Sequence, residues 1–178
     1  MSLTELLAAK VVDVLDFPTP GIVFKDISPL LADHEAFAAA VDAVVAAARD
    51  DRIDKVVGIE ARGFLLAAPA AYHLRAGFVP VRKPGKLPGP TRETSYDLEY
   101  GADVLQVHLD AFTPGERVLV VDDVLATGGT AAAAGRLVQE AGAELVGFSV
   151  LLELAALGGR ALLAQAHPGV PVSTLLSY

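Results

Sequence analysis

In the first half of the chain, the spacing of apolar positions is typical of helices in some segments and of strands in others. Residues 3–15 carry apolar side chains three or four positions apart, which predicts an amphipathic helix that ends at the proline-rich turn 17–21. The same spacing predicts a second helix over 33–49, with Asp33 as its N-cap. A strand, a helix and a strand are expected next, at 55–59, 63–75 and 78–81.

The second half contains the apolar runs that are typical of buried strands. Residues 117–122 are nearly all apolar, as in a parallel strand covered on both faces, and a helix is expected over 129–141 with Gly142 at its C-cap. Two more strands are expected, at 147–152 and 172–176. Because strands alternate with helices, we predict an α/β fold with a doubly wound, mostly parallel sheet.

One region interrupts this alternation. Residues 82–102 contain three prolines and two glycines within 84–90, and they read as a loop. The positions that follow, 104–109, alternate like a strand with two different faces. We expect this region and the N-terminal segment to be attachments to the main sheet.

Composition and charge narrow the class of protein. The 178 residues are 53% hydrophobic and contain no cysteine, which suits one globular domain over 1–178 and excludes disulfides, thiolate metal sites and cysteine nucleophiles. The net charge is 14 − 22 = −8, which argues against a nucleic-acid partner. The sequence shows no signal peptide and no apolar run near the ~20 residues of a membrane span, so we expect no membrane partner.

The most informative segment is 120–130, where a buried strand runs into two carboxylates and a loop of small residues. Asp122 and Asp123 are expected at the carboxyl end of the strand, where open parallel sheets bind ligands. The loop 126–130 leaves backbone N–H groups free to approach a phosphate at a helix start. A P-loop would need a lysine after the glycines, and a dinucleotide fingerprint would need a different glycine spacing. The pattern therefore favours a ligand with a phosphate and a hydroxylated ring.

A basic cluster lies in the interrupting loop. Four basic residues fall within 11 positions, where an even spread of 14 over 178 gives about 0.9. They are Arg82, Lys83, Lys86 and Arg92. In one interpretation this loop closes over the site and its basic side chains bind an anion. In the other, the basic side chains are only solvent-exposed charges that keep the protein soluble.

Five segments in order along the chain resemble the adenine phosphoribosyltransferases, a family of type I phosphoribosyltransferases. They are FPTPGIVFKDI (17–27), EARGF (60–64), RKPGKLPG (82–89), YDLEYG (96–101) and VVDDVLATGGT (120–130). The resemblance implies a central, mostly parallel sheet flanked by helices, a small N-terminal hood over 1–35 and a flexible catalytic loop over 82–102. It also implies a cytoplasmic homodimer.

The family resemblance implies an activity and a donor site. The reaction joins adenine to phosphoribosyl pyrophosphate, giving AMP and pyrophosphate, with Mg²⁺ carried by the donor. Asp122 and Asp123 would hold the ribose hydroxyls, with Mg²⁺ bridged to either through water, while Arg62 and Lys86 would contact the pyrophosphate. The 5′-phosphate would be cradled by Ala126, Thr127, Gly128, Gly129 and Thr130.

The resemblance also implies a base site. Phe24 would stack on adenine, the backbone of Val23 and Lys25 would read its edge, and Leu154 would form the opposite wall. Glu99 would stabilise purine N7 while N9 attacks. Two positions depart from the family pattern: Lys25 stands where many relatives carry arginine, and Pro84 stands where a basic residue is frequent, so their side-chain contacts do not carry over.

Two other functions remain open at this stage. A phosphoribosyltransferase for a 6-oxopurine would need a donor for position 6, commonly a lysine, yet the expected strand 146–152 contains none. A regulator that senses phosphoribosyl pyrophosphate and binds nucleic acid would need a basic face, which a net charge of −8 disfavours.

Overall fold

The computed structural model of the chain describes residues 1–48, 52–97 and 102–178. Its helices and strands are, in chain order, α1 (Leu3–Ala8), β1 (Val12–Leu15), β2 (Val23–Asp26), α2 (Ser28–Ala32), α3 (His34–Ala47), β3 (Lys55–Ile59), α4 (Gly63–Leu74), β4 (Gly77–Val81), β5 (Thr91–Asp97), β6 (Ala102–His108), β7 (Arg117–Leu125), α5 (Gly129–Glu140), β8 (Glu144–Glu153), α6 (Gly159–Ala166) and β9 (Val172–Ser177). A short 3₁₀ helix, Ala155–Leu157, follows β8. Within the described ranges, no helix is long and apolar enough to cross a membrane.

The main sheet has five parallel strands in the order β4-β3-β7-β8-β9. Alternate residues of β7 face two separate cores, because successive side chains of a strand point to opposite faces. Val118 and Val120 join the core that contains α5, whereas Leu119 and Val121 join the core that contains α3 and α4. Helices therefore cover both faces, which confirms the predicted α/β architecture.

The prediction of one helix over 3–15 is wrong in its second half. A capping box between Ser2 and Glu5 starts α1, but this helix ends at Ala8, and Val12–Leu15 is a strand that pairs with β2 in antiparallel register. The apolar residues at 11, 12 and 14 are valines, whose branched Cβ favours extended backbone. The spacing of these valines fits the helical period and the strand period alike, so the apolar pattern alone did not distinguish a strand from a continued helix.

The helix expected at about 33–49 is confirmed as α3 (His34–Ala47), with the Asp33 side chain accepting from the Ala36 N–H at 3.0 Å as its N-cap; residue 49 lies outside the described residues. The short α2 that precedes it was not predicted. The loop 82–102 contains β5, which pairs with β6 in a separate antiparallel hairpin. β5 is mostly polar, so apolar alternation did not reveal it. Helix α6 was not predicted at all; of its residues only Gly159 and Leu163 are buried.

The topology brings the functional segments to one edge. β3, β7 and β8 are neighbouring parallel strands, so their carboxyl ends lie together. The turn 60–62 follows β3, the loop 126–128 follows β7, and Leu154 follows β8. The crevice beyond this edge is where a ligand is expected in such a sheet.

Candidate active site

The two carboxylates lie within β7, which continues three residues further than predicted, to Leu125. The Asp123 N–H donates to Asp122 Oδ1 at 2.9 Å. Burial, and secondarily the charge of Asp123, raises the pKa of Asp122 well above its ordinary value. Gly63, the first residue of α4, makes room for this carboxyl: a Cβ there would lie 2.6 Å from Asp122 Oδ1.

Arg62 connects the carboxylates to segment 23–25, which was predicted to bind the base. Asp123 is only 6% exposed, and its Oδ2 lies 2.8 Å from Arg62 Nε in an ion pair without hydrogen-bond geometry. The Arg62 guanidinium also lies over the Phe24 ring, 4.9 Å from its centroid. The structure therefore brings Arg62, Asp123 and Phe24 together although they are far apart in sequence.

The loop after β7 has the backbone that an anion site requires. Gly128 has φ +88°, a left-handed conformation that favours glycine, and its carbonyl accepts from the Ala132 N–H at 2.9 Å at the start of α5. First-turn N–H groups of a helix have no intrahelical acceptor and face outward with the positive end of the helix dipole. A small pocket of about 80 Å³ lies here, lined by Asp122, Val124, Leu125, Ala126, Thr127, Gly128, Thr130 and Ala131.

A larger open cleft of about 510 Å³ shares Asp122 with this pocket. Its lining consists of Ile59, Glu60, Ala61, Arg62, Lys83, Tyr96, Asp103, Leu105, Asp122, Asp123, Val124, Ala126 and Thr130. The two carboxylates thus lie beside the phosphate-sized pocket and also face a cleft that has room for a sugar and a further anionic group.

Lys86 does not itself line the cleft, but it is held by Glu60, which does. Its Nζ is 2.5 Å from Glu60 Oε1, and Arg82 Nε is 2.9 Å from Glu60 Oε2. Burial alone would raise the pKa of Glu60, but hydrogen bonds from Lys86, the Lys83 amide and Arg82 hold it below its ordinary value. Glu60 therefore neutralises two cations of the predicted basic cluster.

Sequence reasoning missed several residues of the cleft. Lys83 was counted in the basic cluster without a role of its own, and its Nζ lies 2.8 Å from Asp103. Tyr96 is buried, and its hydroxyl donates to Asp103 Oδ2 at 3.2 Å. Glu60 could have been noticed as the acid directly before the 61–63 turn, whereas nothing in the local pattern indicated Asp103.

Segment 23–25, which was predicted to bind the base, belongs to β2 and lies beside the cleft, because Phe24 contacts Arg62. Phe24 contacts Phe17 edge-on at 5.1 Å between ring centroids, in addition to Arg62. Leu154 donates its N–H to the Leu125 carbonyl at 2.9 Å, which places it next to the start of the loop 126–130. The predicted position of Glu99 lies outside the described residues.

Comparison with known proteins agrees with this geometry. A family described as the phosphoribosyl transferase domain matches residues 30–162. The adenine phosphoribosyltransferase of Acidothermus cellulolyticus is 65% identical over 159 residues, covering 89% of this chain and 90% of the relative. The crystal structure of the Rhodothermus marinus adenine phosphoribosyltransferase superposes with a TM-score of 0.93 at 50% identity, covering 99% of this chain and 98% of that one.

A third relative carries ligands. The Saccharomyces cerevisiae adenine phosphoribosyltransferase, solved with an imino-altritol bisphosphate and adenine, has a TM-score of 0.90 and 39% identity, with 98% of each chain covered. The chain therefore belongs to the phosphoribosyltransferase family and, within it, to the adenine phosphoribosyltransferases.

Proposed function

We propose that this protein transfers the 5-phosphoribosyl group from phosphoribosyl pyrophosphate to adenine, forming AMP and pyrophosphate in purine salvage. The observation that carries the proposal is the cleft itself. It places the carboxylates Asp122 and Asp123 between a small-residue loop at a helix start and Arg62, which contacts the base segment at Phe24. The names of the relatives, and the adenine bound to the yeast protein, support the same base.

The donor occupies both cavities in this proposal. Its 5′-phosphate lies in the small pocket, bound by N–H groups and hydroxyls of Ala126, Thr127, Gly128, Gly129 and Thr130. The ribose hydroxyls donate to Asp122 and Asp123, which are acceptors when ionised. The pyrophosphate extends toward Arg62 and Lys86, and Lys86 exchanges its Glu60 partner for the ligand.

The donor set of the cleft suits Mg²⁺ that arrives with the donor. The described residues contain no group of three or more side chains that could hold a metal by themselves. Mg²⁺ usually keeps several waters and binds through one or two carboxylates plus substrate phosphates, which Asp122 or Asp123 could provide through water. When bound, the ion would neutralise charge on the departing pyrophosphate.

The transfer forms a bond from adenine N9 to the ribose C1′ while the bond from C1′ to the pyrophosphate oxygen breaks, and the imidazole-ring proton of adenine passes to the pyrophosphate or to solvent. Phe24 stacks on the base, the backbone of Val23 and Lys25 reads its edge, Leu154 closes the opposite side, and Glu99 hydrogen-bonds purine N7. Because C1′ becomes cationic in the transition state, catalysis consists chiefly of positioning and of stabilising the leaving anion.

The proposal extends to the setting of the enzyme. We place the reaction in the cytoplasm, where purine bases and the phosphorylated sugar are available, and we expect a homodimer as in the family the chain resembles. Sedimentation of the purified protein tests the dimer, since a single species at the mass of one chain, 18.4 kDa, would contradict it.

The direct test supplies Mg²⁺ and phosphoribosyl pyrophosphate with each purine base in turn. We expect AMP and pyrophosphate from adenine, and no nucleotide when the donor is omitted. If hypoxanthine, guanine or xanthine gave a nucleotide and adenine gave none, the substrate would be a 6-oxopurine instead of adenine. That alternative is disfavoured because β8 (Glu144–Glu153) contains no lysine to serve as the position-6 donor.

A further inference from the structure

The two-stranded sheet β1–β2, which carries the base segment, is exposed to an unusual degree. Every residue of β1 is exposed, and six apolar side chains of this region are at least 36% exposed. They are Val12, Val14, Leu15, Phe17, Ile22 and Val23. An isolated pair of strands is marginally stable in water, so its position depends on contacts with the body of the protein.

Two cation–π contacts connect β2 to the body. Phe24 lies beneath the Arg62 guanidinium, and the next residue, Lys25, places its Nζ 4.1 Å from the centroid of the Tyr178 ring. Successive side chains of a strand point to opposite faces, so these contacts hold β2 from two sides. The first belongs to the active site already described, whereas the second has no role in it.

The Lys25 ammonium is largely withdrawn from water. Its side chain is 15% exposed, and its Nζ lies 2.6 Å from Asp13 Oδ1 on the paired strand β1. Asp13 balances the charge, and the Tyr178 ring covers the ammonium at 4.1 Å. A cation–π contact is stronger at such a desolvated site than on an open surface.

The position of Tyr178 is fixed by the end of β8. Its N–H donates to the Glu153 carbonyl at 2.9 Å, and its own carbonyl accepts from the Ala155 N–H at 2.9 Å. These two partners flank Leu154, the residue proposed to form one wall of the adenine site. The Tyr178 ring is therefore anchored to the segment that carries this wall, while Lys25 belongs to the segment that carries Phe24.

We propose that Tyr178 is a positioning residue for the base site, which it serves by holding the Lys25 ammonium and so setting the separation between segment 23–25 and Leu154. The proposal rests on the proposed function, because adenine is the ligand between these two segments. Neither Lys25 nor Tyr178 lines the cavities assigned to the donor. The contact therefore affects adenine binding and leaves donor binding unchanged.

Two variants of Tyr178 distinguish the contribution of its aromatic ring from the contributions of its hydroxyl and its backbone. Tyr178→Leu removes the π face, whereas Tyr178→Phe keeps it and serves as the matched control. Tyr178 is 41% exposed, so neither variant disturbs a core. We expect the KM for adenine to rise about two- to fivefold in Tyr178→Leu, with an unchanged KM for phosphoribosyl pyrophosphate and parental values in Tyr178→Phe.

A double-mutant cycle tests whether the effect passes through Lys25. Lys25→Met should raise the KM for adenine by a similar factor, and combining it with Tyr178→Leu should add little, because both variants remove one contact. Independent, multiplying effects would overturn the proposal. So would a Tyr178→Phe variant that behaves like Tyr178→Leu.

Hydrogen exchange provides a measurement that does not depend on turnover. Amide exchange over 12–26 should be faster in Tyr178→Leu than in Tyr178→Phe, with no change in β7 or β8. Equal exchange in the two variants, or faster exchange with an unchanged KM for adenine, would overturn the positioning role. If the unsubstituted protein made no AMP, the proposed function would fail, and the exchange rates would still decide whether Tyr178 holds β2.

Discussion

Asp122 and Asp123 are neighbours in sequence, yet their surroundings differ. Asp123 is buried and faces the Arg62 guanidinium at 2.8 Å. Asp122 accepts the Asp123 N–H and has a raised pKa because it is desolvated close to a second carboxyl. Asp122 also lines the phosphate-sized pocket, which Asp123 does not. A donor that offers hydroxyls and a cation would satisfy both acids, and we expect its binding to offset the unfavourable burial of the Asp122 carboxylate.

The double variant Asp122→Asn with Asp123→Asn tests their joint role. It should lower kcat/KM by about 10²- to 10⁴-fold, because hydrogen bonds to a charged group contribute about 1.5–3 kcal/mol each. Steady-state kinetics measure the loss, and circular dichroism checks that the fold is retained. Activity equal to that of the parent would show that the ribose site is assigned wrongly.

The single variant Asp122→Asn should stabilise the unliganded protein at neutral pH. A carboxyl whose folded pKa is raised binds more protons when folded than when unfolded, so its ionisation costs stability as pH rises from the ordinary aspartate value through the folded pKa. Asparagine does not titrate, and its Oδ1 can still accept the Asp123 N–H. The free energy of unfolding of the variant should therefore exceed that of the parent at pH 7, with a difference that shrinks toward pH 4.

Urea unfolding at several pH values measures this difference. Asp42→Asn, on an exposed position of α3, is the control for removing one negative charge. A pH-independent difference between Asp122→Asn and the parent, or a variant less stable than the parent at pH 7, would contradict the electrostatic account of this carboxyl.

Gly63→Ala tests the space reserved for Asp122. The added methyl would lie 2.6 Å from Asp122 Oδ1 and 3.2 Å from the Val121 carbonyl, so backbone or carboxylate must shift. We expect a loss of about 1–3 kcal/mol in unfolding free energy, as for overpacking, together with a fall in kcat/KM. Gly147→Ala is the control, since its nearest neighbour would be Leu119 Cδ1 at 3.5 Å, an ordinary contact. Equal losses of unfolding free energy and of kcat/KM in the two variants would show that the Asp122 carboxyl does not need the space at Gly63.

The proximity of candidate site residues could be predicted from sequence where those residues are contiguous. Asp122, Asp123 and the loop 126–130 belong to one segment; Asp122 lines the small pocket together with Ala126, Thr127, Gly128 and Thr130, and both carboxylates line the adjoining cleft. The pairing of Lys86 with Glu60 could not be predicted, because it depends on how the loop after β4 folds back onto the end of β3. The same holds for Arg62, whose contact with Phe24 joins two separate parts of the fold.

At the scale of elements, the loop 126–130, to which we assign the 5′-phosphate, is supported by a helix that the sequence did not predict. A Cβ on Gly128 would lie 2.7 Å from the Gly159 carbonyl, so the loop and the start of α6 touch through backbone. A Cβ on Gly159 would in turn collide with the Ala126 carbonyl. Both glycines permit a close backbone approach, and α6 thereby fixes the back of the loop.

Gly159→Ala should therefore displace the loop and weaken donor binding. We expect the KM for phosphoribosyl pyrophosphate to rise at least tenfold, since about 1.4 kcal/mol of lost binding suffices, with a smaller change in the KM for adenine. Ala161→Ser, at an exposed position of the same helix, is the control. If the two KM values rose equally, or if only the KM for adenine rose, the assignment of the 5′-phosphate to this loop would be wrong.

Elements were predicted best where their apolar period was long and unambiguous. β3, α4, β4 and β7 begin and end within a few residues of the expected bounds. For β3 and β7 the reason is that burial on two faces imposes a continuous apolar pattern. α1 and β1 together cover too few residues to distinguish the two periods. β5 is held by pairing with β6, a tertiary cause that its polar sequence does not display.

At the scale of the whole molecule, the proposed anion site belongs to an acidic protein. With a net charge of −8, the long-range field repels a pyrophosphate, so attraction must be local. Each cation at the cleft already has a carboxylate partner: Arg62 with Asp123, Lys86 with Glu60 and Lys83 with Asp103. The donor must compete with these acids, and Mg²⁺ carried by the donor would reduce that competition by satisfying the carboxylates.

The fold class followed from the alternation of strands and helices, but the strand order β4-β3-β7-β8-β9 did not. The chain leaves the sheet after β4, forms the β5–β6 hairpin and returns on the other side of β3. Only tertiary packing decides where it returns. This return sets β7 next to β3 and so brings the carboxylates within reach of Arg62.

A crystal structure of the protein with phosphoribosyl pyrophosphate and Mg²⁺ tests the arrangement most directly. We expect the 5′-phosphate within hydrogen-bond distance of the backbone N–H groups of 126–130, and both ribose hydroxyls within about 3 Å of the Asp122 and Asp123 carboxylates. A donor bound elsewhere, with that loop empty, would contradict the account.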